Sequence, residues 1–217
     1  GCSVTAVDIY RNSPVIVADL GRVGVRCLDT SPDEEFDLAV APIHAPESYL
    51  GSARPRRTIT HHQAVGELAH FSAPVVEVTG ARGKTSTVQV LSFLLSREYG
   101  RVLSLSSSGL RMLGAEEVLL EEKVSIAPST LLRLSKRYPD LDAGVFEVSL
   151  GGTGLADVSV ITGLQDDYPI AAGTRRAFHG KAQMAISARA CLVLPKEEEG
   201  IWTPLTTRCQ EIVSFGP

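Results

Sequence analysis

Residues Val75–Thr79 read VVEVT, a run of strand length rich in β-branched side chains. Gly80-Ala81-Arg82-Gly83-Lys84-Thr85-Ser86 follows without a spacer, and from Ser86 to Glu98 the apolar residues take helical spacing. A strand that turns through two glycines straight into a helix is the first half of a parallel crossover. This commits the chain to an α/β sheet more firmly than any other stretch. Glycines let successive N–H groups curl around an anion, and the helix behind them points its positive end at the same place. In that setting Lys84 reaches terminal phosphates and the Thr85 hydroxyl holds Mg²⁺. The expected nucleotide contacts are Gly80, Ala81, Arg82, Gly83, Lys84, Thr85 and Ser86. Gly-Lys-Thr also occurs by chance in surface turns, but seldom between such a strand and such a helix. The glycine spacing is a shortened variant, because Val78 occupies the place of the usual first glycine.

Further apolar runs extend the sheet. Arg101–Leu105, Ala143–Glu147, Val158–Thr162 and Ala190–Leu194 read as strands, with helices expected over Thr130–Arg137 and Thr174–Ala190. Upstream, Ser3–Ile9, Pro14–Ala18 and Phe36–Ala41 have buried-strand character, and Thr60 is a plausible cap for a helix reaching His70. The segment Phe71–Pro74 reads as a hinge. The expected fold is therefore α/β: a Rossmann-like N-terminal domain over 1–72 and a doubly wound parallel-sheet P-loop domain over 73–217. Both are expected to be partial, since the chain opens at Gly1 and stops at Pro217.

The net charge of −4 gives no support for nucleic acid or an anionic membrane as the main partner, and neither is expected. Arg54, Arg56 and Arg57 form a local basic cluster, which around a proline more often faces solvent. Cys2, Cys27, Cys191 and Cys209 are scattered with no Cys-x-x-Cys pair, a usage that fits a reducing cytoplasm. No apolar run approaches the roughly 18 residues that span a bilayer.

The loop of form T-G-x-x-G-K-T-S resembles that of the Mur ligase family, and other segments match in order. Phe146-Glu147-Val148-Ser149-Leu150-Gly151-Gly152 is similar to the family's second motif, Asp157–Gly163 to its next strand, and Gly173–Lys181 to the stretch ending in a lysine that many members carbamylate. The resemblance covers residues 75 to 217. It implies an ATP-dependent ligase with Lys84, Glu147 and Lys181 as catalytic residues. It also implies a magnesium set of Thr85, Glu147, Asp167 and Lys181, the last as a carbamate. Without the family, Glu147 is an exposed strand-end acid, Lys181 a solvated helix residue and His179 a helix-face residue. Ser125–Thr130 resembles a loop near nucleotide and substrate, and equally reads as a helix start capped by Ser129.

One departure stands out. Where many members carry Asp-His, this chain has Asp166-Asp167-Tyr168, which removes an imidazole and leaves Asp167 to supply a carboxylate. The family's C-terminal domain, which helps close over ATP, is absent from these residues. Segments 1–10, 37–49 and 59–68, with Gly173–Met184, are similar to the methanogen branch of the family, the coenzyme F-430 synthetases. That branch implies a small-molecule carboxylate substrate, a nickel tetrapyrrole, with His44, His61 and His62 or the three arginines facing it. A Mur-type amino-acid or peptide ligase shares every nucleotide motif and stays open here.

Overall fold

The computed structural model describes residues 1–9, 14–164 and 167–216. The chain divides into two compact units, Gly1–Ala41 with Ala45–Ile59, and Pro42–His44 with Thr60–Pro217. No helix among the described residues is long and apolar enough to cross a membrane.

In the first unit, strand Thr5–Val7 lies parallel to Arg26–Leu28, and helix Pro14–Arg22 connects them in sequence. The expected strand at Pro14–Ala18 is thus a helix. Pro14 opens it, at a position where a fixed φ and a missing N–H cost little. The stretch Phe36–Ala41 likewise splits, into Glu35–Phe36 and Ala39–Ala41. The Rossmann-like expectation reduces, among the described residues, to one β–α–β step and short two-stranded pieces. Arg54 pairs with Asp33, and Arg56 with Asp37 at 3.1 Å, all four on the surface. The basic cluster is therefore at least partly matched by acids.

The second unit holds an eight-stranded sheet. Its strands are β1 (Val75–Thr79), β2 (Val102–Ser106), β3 (Gly109–Leu113), β4 (Glu117–Glu121), β5 (Ala143–Glu147), β6 (Val158–Ile161), β7 (Cys191–Pro195) and β8 (Glu211–Phe215). They lie in the order β4-β3-β2-β5-β1-β6-β7-β8. From β2 to β8 every neighbour is parallel, while β3 and β4 form an antiparallel hairpin at one edge. Its principal helices are α1 (His61–Leu68), α2 (Lys84–Leu95), α3 (Ser129–Arg137) and α4 (Ala177–Ser187).

Side-chain alternation explains how both faces are covered. Val78, Val102, Val145 and Val160 point to one face and enclose Val88 of α2. Leu103, Leu105 and Phe146 point to the other, onto Leu131 and Leu134 of α3 and Val65 of α1. Ile161, Leu192 and Leu194 continue that second face under Ala182 and Met184 of α4. The doubly wound expectation holds.

Helix α1 starts where the sequence places it. The Thr60 hydroxyl accepts the Gln63 N–H at 3.2 Å and the Gln63 side chain accepts the Thr60 N–H at 2.9 Å, a reciprocal cap. Val65 and Ala69 pack into the second unit's core, so that unit's long continuous part starts at Thr60, ahead of the hinge at residues 71–74. Helix α3 departs from expectation at its start. Ser129 is its first residue and does not cap it. The turn is held instead by Ser125, whose hydroxyl accepts the Ala127 N–H at 3.1 Å and whose carbonyl accepts from the Thr130 hydroxyl at 2.7 Å.

Candidate active site

Strand β1 sits between β5 and β6, the point where the chain's winding changes direction. Ligands of open parallel sheets bind beyond the carboxyl ends of strands at such a point. There Gly80 takes a φ of 144°, and a Cβ on it would lie 2.0 Å from the Thr162 hydroxyl oxygen. Only glycine fits both demands. The loop is fastened to the segment after β6: Ala81 N–H donates to Gly163 C=O at 2.9 Å, and the Thr162 hydroxyl donates to Arg82 C=O at 2.5 Å. Gly83, at a φ of 80°, is the N-cap of α2 and offers no side chain to cover its first turn. The leading N–H groups of a helix have no partner within it, which suits them to phosphate oxygens.

Glu147 ends β5 next door and is 2% exposed. Its Oε2 accepts the Thr85 hydroxyl at 2.8 Å and the Ser107 N–H at 3.0 Å, while Lys84 Nζ stands 3.9 Å from Oε1. The Ser107 hydroxyl is 2.9 Å from that of Thr85. The structure thus brings Lys84, Thr85 and Glu147 together as expected. It adds Ser107, from the turn between β2 and β3, which sequence reasoning passed over. Its signal was the run Ser106-Ser107-Ser108-Gly109, a turn composition with no chemistry of its own. A hydroxyl and a carboxylate are hard oxygen donors, and they fit Mg²⁺, which keeps water and phosphate oxygens as its remaining ligands. No group of three or more His, Cys, Asp or Glu among the described residues forms a metal cage.

Lys181 lies on α4 and is 1% exposed, and its Nζ has no hydrogen-bond partner. Nζ is 5.2 Å from the centre of the Tyr168 ring. Burial pushes its pKa down. The Asp167 carboxylate works against that, and the charge on Lys84 adds to it. A buried ammonium is costly, so the site favours an uncharged amine or a derivative that brings its own hydrogen-bonding atoms. Asp167 is engaged at the start of α4. Its Oδ1 accepts Phe178 N–H at 2.8 Å, at the start of α4, and its Oδ2 accepts Arg176 Nε–H at 3.0 Å. Burial alone would raise the Asp167 carboxyl, but these bonds, led by Arg176, hold it below the usual carboxylate range. Asp166 lies outside the described residues. His179 is exposed, and its Nδ1 accepts the Arg176 N–H at 3.1 Å, so it caps α4 rather than facing a ligand.

Behind Glu147, the chain from Ser149 to Gly154 meets two helices at three close backbone approaches. A Cβ on Gly151 would sit 2.3 Å from Gly180 C=O, one on Gly180 2.4 Å from Leu150 C=O, and one on Gly66 of α1 2.1 Å from Thr153 C=O. The carboxylate of Glu77, fully buried in β1, accepts both the N–H and the hydroxyl of Thr153. His62 Nε2 is 2.8 Å from Ser149 C=O. His61 stacks on His62 with ring centres 4.6 Å apart, and the Nδ1 of each ring is buried without a partner. Burial pushes His61 down to about 4, with His62 and His44 adding to the shift, and burial lowers His62 as well.

No protein-family model matches the chain. It is 34% identical, over an alignment of 208 positions that covers 87% of the chain, to coenzyme F(430) synthetase of Methanosarcina acetivorans. It is 24% identical over 182 residues to the protein of the same name from Methanocaldococcus jannaschii. The chain spans 43% and 41% of the length of these two relatives. Among solved structures, UDP-N-acetylmuramoyl-L-alanyl-D-glutamate–2,6-diaminopimelate ligase superposes over 96% of this chain and 47% of its own, with a TM-score of 0.53 and 13% identity. That likeness establishes the fold. By these relatives and by that fold, the chain is similar to coenzyme F(430) synthetase and shares the fold of the Mur ligases.

Proposed function

We propose that the protein of which these residues form part is an ATP-dependent ligase. It activates a carboxylate as an acyl phosphate and closes the last carbocyclic ring of the nickel tetrapyrrole coenzyme F-430. The observation that carries the nucleotide part is the convergence of Lys84, Thr85 and Glu147 at the carboxyl end of the central strand. The substrate part rests on the two relatives' name. In this reading the N–H groups of Gly80–Ser86 hold the phosphates and Lys84 neutralises charge on the γ-phosphoryl group. A substrate carboxylate oxygen attacks the γ-phosphorus and ADP departs. A carbon of the same molecule then attacks the acyl carbon and phosphate leaves, so the macrocycle loses one water overall. Thr85 and Glu147 would hold Mg²⁺, which supplies positive charge to the transferring phosphoryl group. Lys181, as a carbamate formed when its neutral amine attacks CO₂ and loses a proton, would provide oxygen atoms to a second ion.

The test uses the full-length protein with ATP, Mg²⁺ and the open-ring nickel tetrapyrrole acid. Product mass reduced by one water, with ADP and phosphate formed in step, is the expected result. ADP released only when an amino acid and a different carboxylate are supplied would move the protein to the peptide-ligase branch. Lys84→Ala is expected to abolish ADP formation in either case, with the melting temperature retained. Undiminished turnover in that variant would overturn the phosphate-loop reading.

A further inference from the structure

Glu198 belongs to none of the segments discussed so far. It is 8% exposed, in the short helical stretch after β7. Left alone, a buried carboxylate costs several kcal/mol. Here each oxygen has a donor: Oε1 accepts the Leu164 N–H at 2.6 Å, and Oε2 accepts the Trp202 Nε1–H at 2.8 Å. Trp202 is itself fully buried and stacks on Phe178 of α4 with ring centres 5.3 Å apart. The carboxylate is therefore anchored to the core at one oxygen and presents the other to the backbone.

The Leu164 N–H and the Gly163 C=O belong to one planar peptide unit. Its carbonyl side accepts the Ala81 N–H of the phosphate loop at 2.9 Å. Glu198 therefore holds the far side of the very plane from which the loop hangs. Gly163 has a φ of 142° and lacks a Cβ, so nothing in its own conformation resists rotation of that plane. The neighbouring anchor, the Thr162 hydroxyl on Arg82 C=O, sits on the same short segment. A charged acceptor at one end of the plane also polarises the carbonyl at the other, strengthening the bond to Ala81.

We infer that Glu198 is a positioning residue for the phosphate loop, acting through the Gly163–Leu164 peptide to fix Ala81 and hence the nucleotide-binding N–H groups. The inference rests on the nucleotide reading above. Its test is calorimetric titration of ADP with Mg²⁺ into the full-length protein and three variants, with melting temperature followed alongside. Glu198→Ala is expected to weaken ADP about ten-fold, a change equivalent to one lost charge-assisted contact. Glu198→Gln keeps a neutral acceptor for Leu164 and is expected to weaken ADP by about three-fold. Trp202→Phe removes the core anchor's N–H but not the bond to Leu164. It is expected to lower the melting temperature and leave ADP affinity within about two-fold of the parent.

Equal ADP affinity in Glu198→Ala and the parent would overturn the inference. So would a loss in Trp202→Phe as large as that in Glu198→Ala, which would mark a general structural role. If Glu198→Ala does not fold, the comparison rests on Glu198→Gln against Trp202→Phe, and equal affinities overturn it. A parent protein that fails to bind ADP sinks the nucleotide reading itself, whatever the variants do.

Discussion

At Gly80 two independent constraints meet, a φ of 144° and a hydroxyl 2.0 Å from where a Cβ would stand. Gly80→Ala is therefore expected to destabilise the protein by about 1–3 kcal/mol and to weaken nucleotide binding, both readable by thermal denaturation with and without ADP. Glu147→Gln tests different physics. The amide keeps the shape but not the charge facing Lys84 and Thr85, so ADP formation should fall by about 10²–10³-fold while the fold is retained. A variant with parental turnover would remove Glu147 from the proposed magnesium set. Lys84 and Thr85 were legible in the sequence because their spacing follows from a strand, a loop and a helix, whereas Glu147 was legible through the motif that resembles the family's second one. Ser107 was not, because a serine in a run of turn residues carries no signal of its own, and the Gly163–Leu164 peptide was not, because it contributes backbone N–H and C=O groups that every residue carries. Asp167 was legible as an acid near the site. Its engagement by Arg176 and the start of α4 depends on a turn that no pattern announces.

Among the elements, α1 carries the most distinctive electrostatics. His61 is held at about 4 by burial and by its neighbours, and His62 is lowered by burial. In the unfolded chain both return to about 6.5. The unfolded state therefore binds more protons between these values, so the histidines' contribution is complete above about 6.5 and is lost as pH falls towards 4. The melting temperature should drop over that window, and it should drop less in His61→Asn. An identical slope in the variant would show that other groups govern acid sensitivity. The element itself was readable from Thr60 and Gln63, since a reciprocal cap is a local matter. Helix Pro14–Arg22 was not, because Val15-Ile16-Val17 has strand propensity and only the prolyl start argues for a helix. The β3–β4 hairpin also escaped notice. Antiparallel strands at the edge of a parallel sheet have no crossover helix to frame them.

For the whole molecule, the sheet order places the loop where the winding reverses, and that order is set by contacts distant in sequence. The parallel character of the sheet could be read residue by residue, whereas strand order could not. Ligand linkage gives a test at this scale. ADP with Mg²⁺ at about 100 times its dissociation constant should stabilise the full-length protein by about 2.7 kcal/mol, raising its melting temperature by several degrees. Lys84→Ala should lose most of that rise. A parental protein whose melting temperature ignores the nucleotide would contradict the proposed site. The contacts of Gly66 with Thr153, and of Gly151 and Gly180 with the facing backbone, bear on how such a signal travels. Where side chains meet, a small displacement is absorbed by a change of rotamer. Where main chain meets main chain, as Gly66 does at Thr153 and Gly151 does at Gly180, there is no rotamer to change. A push on the backbone behind Glu147 is therefore expected to reach the helix that bears Lys181 through these contacts, with the Gln183 and Met184 side chains beside them to absorb part of it.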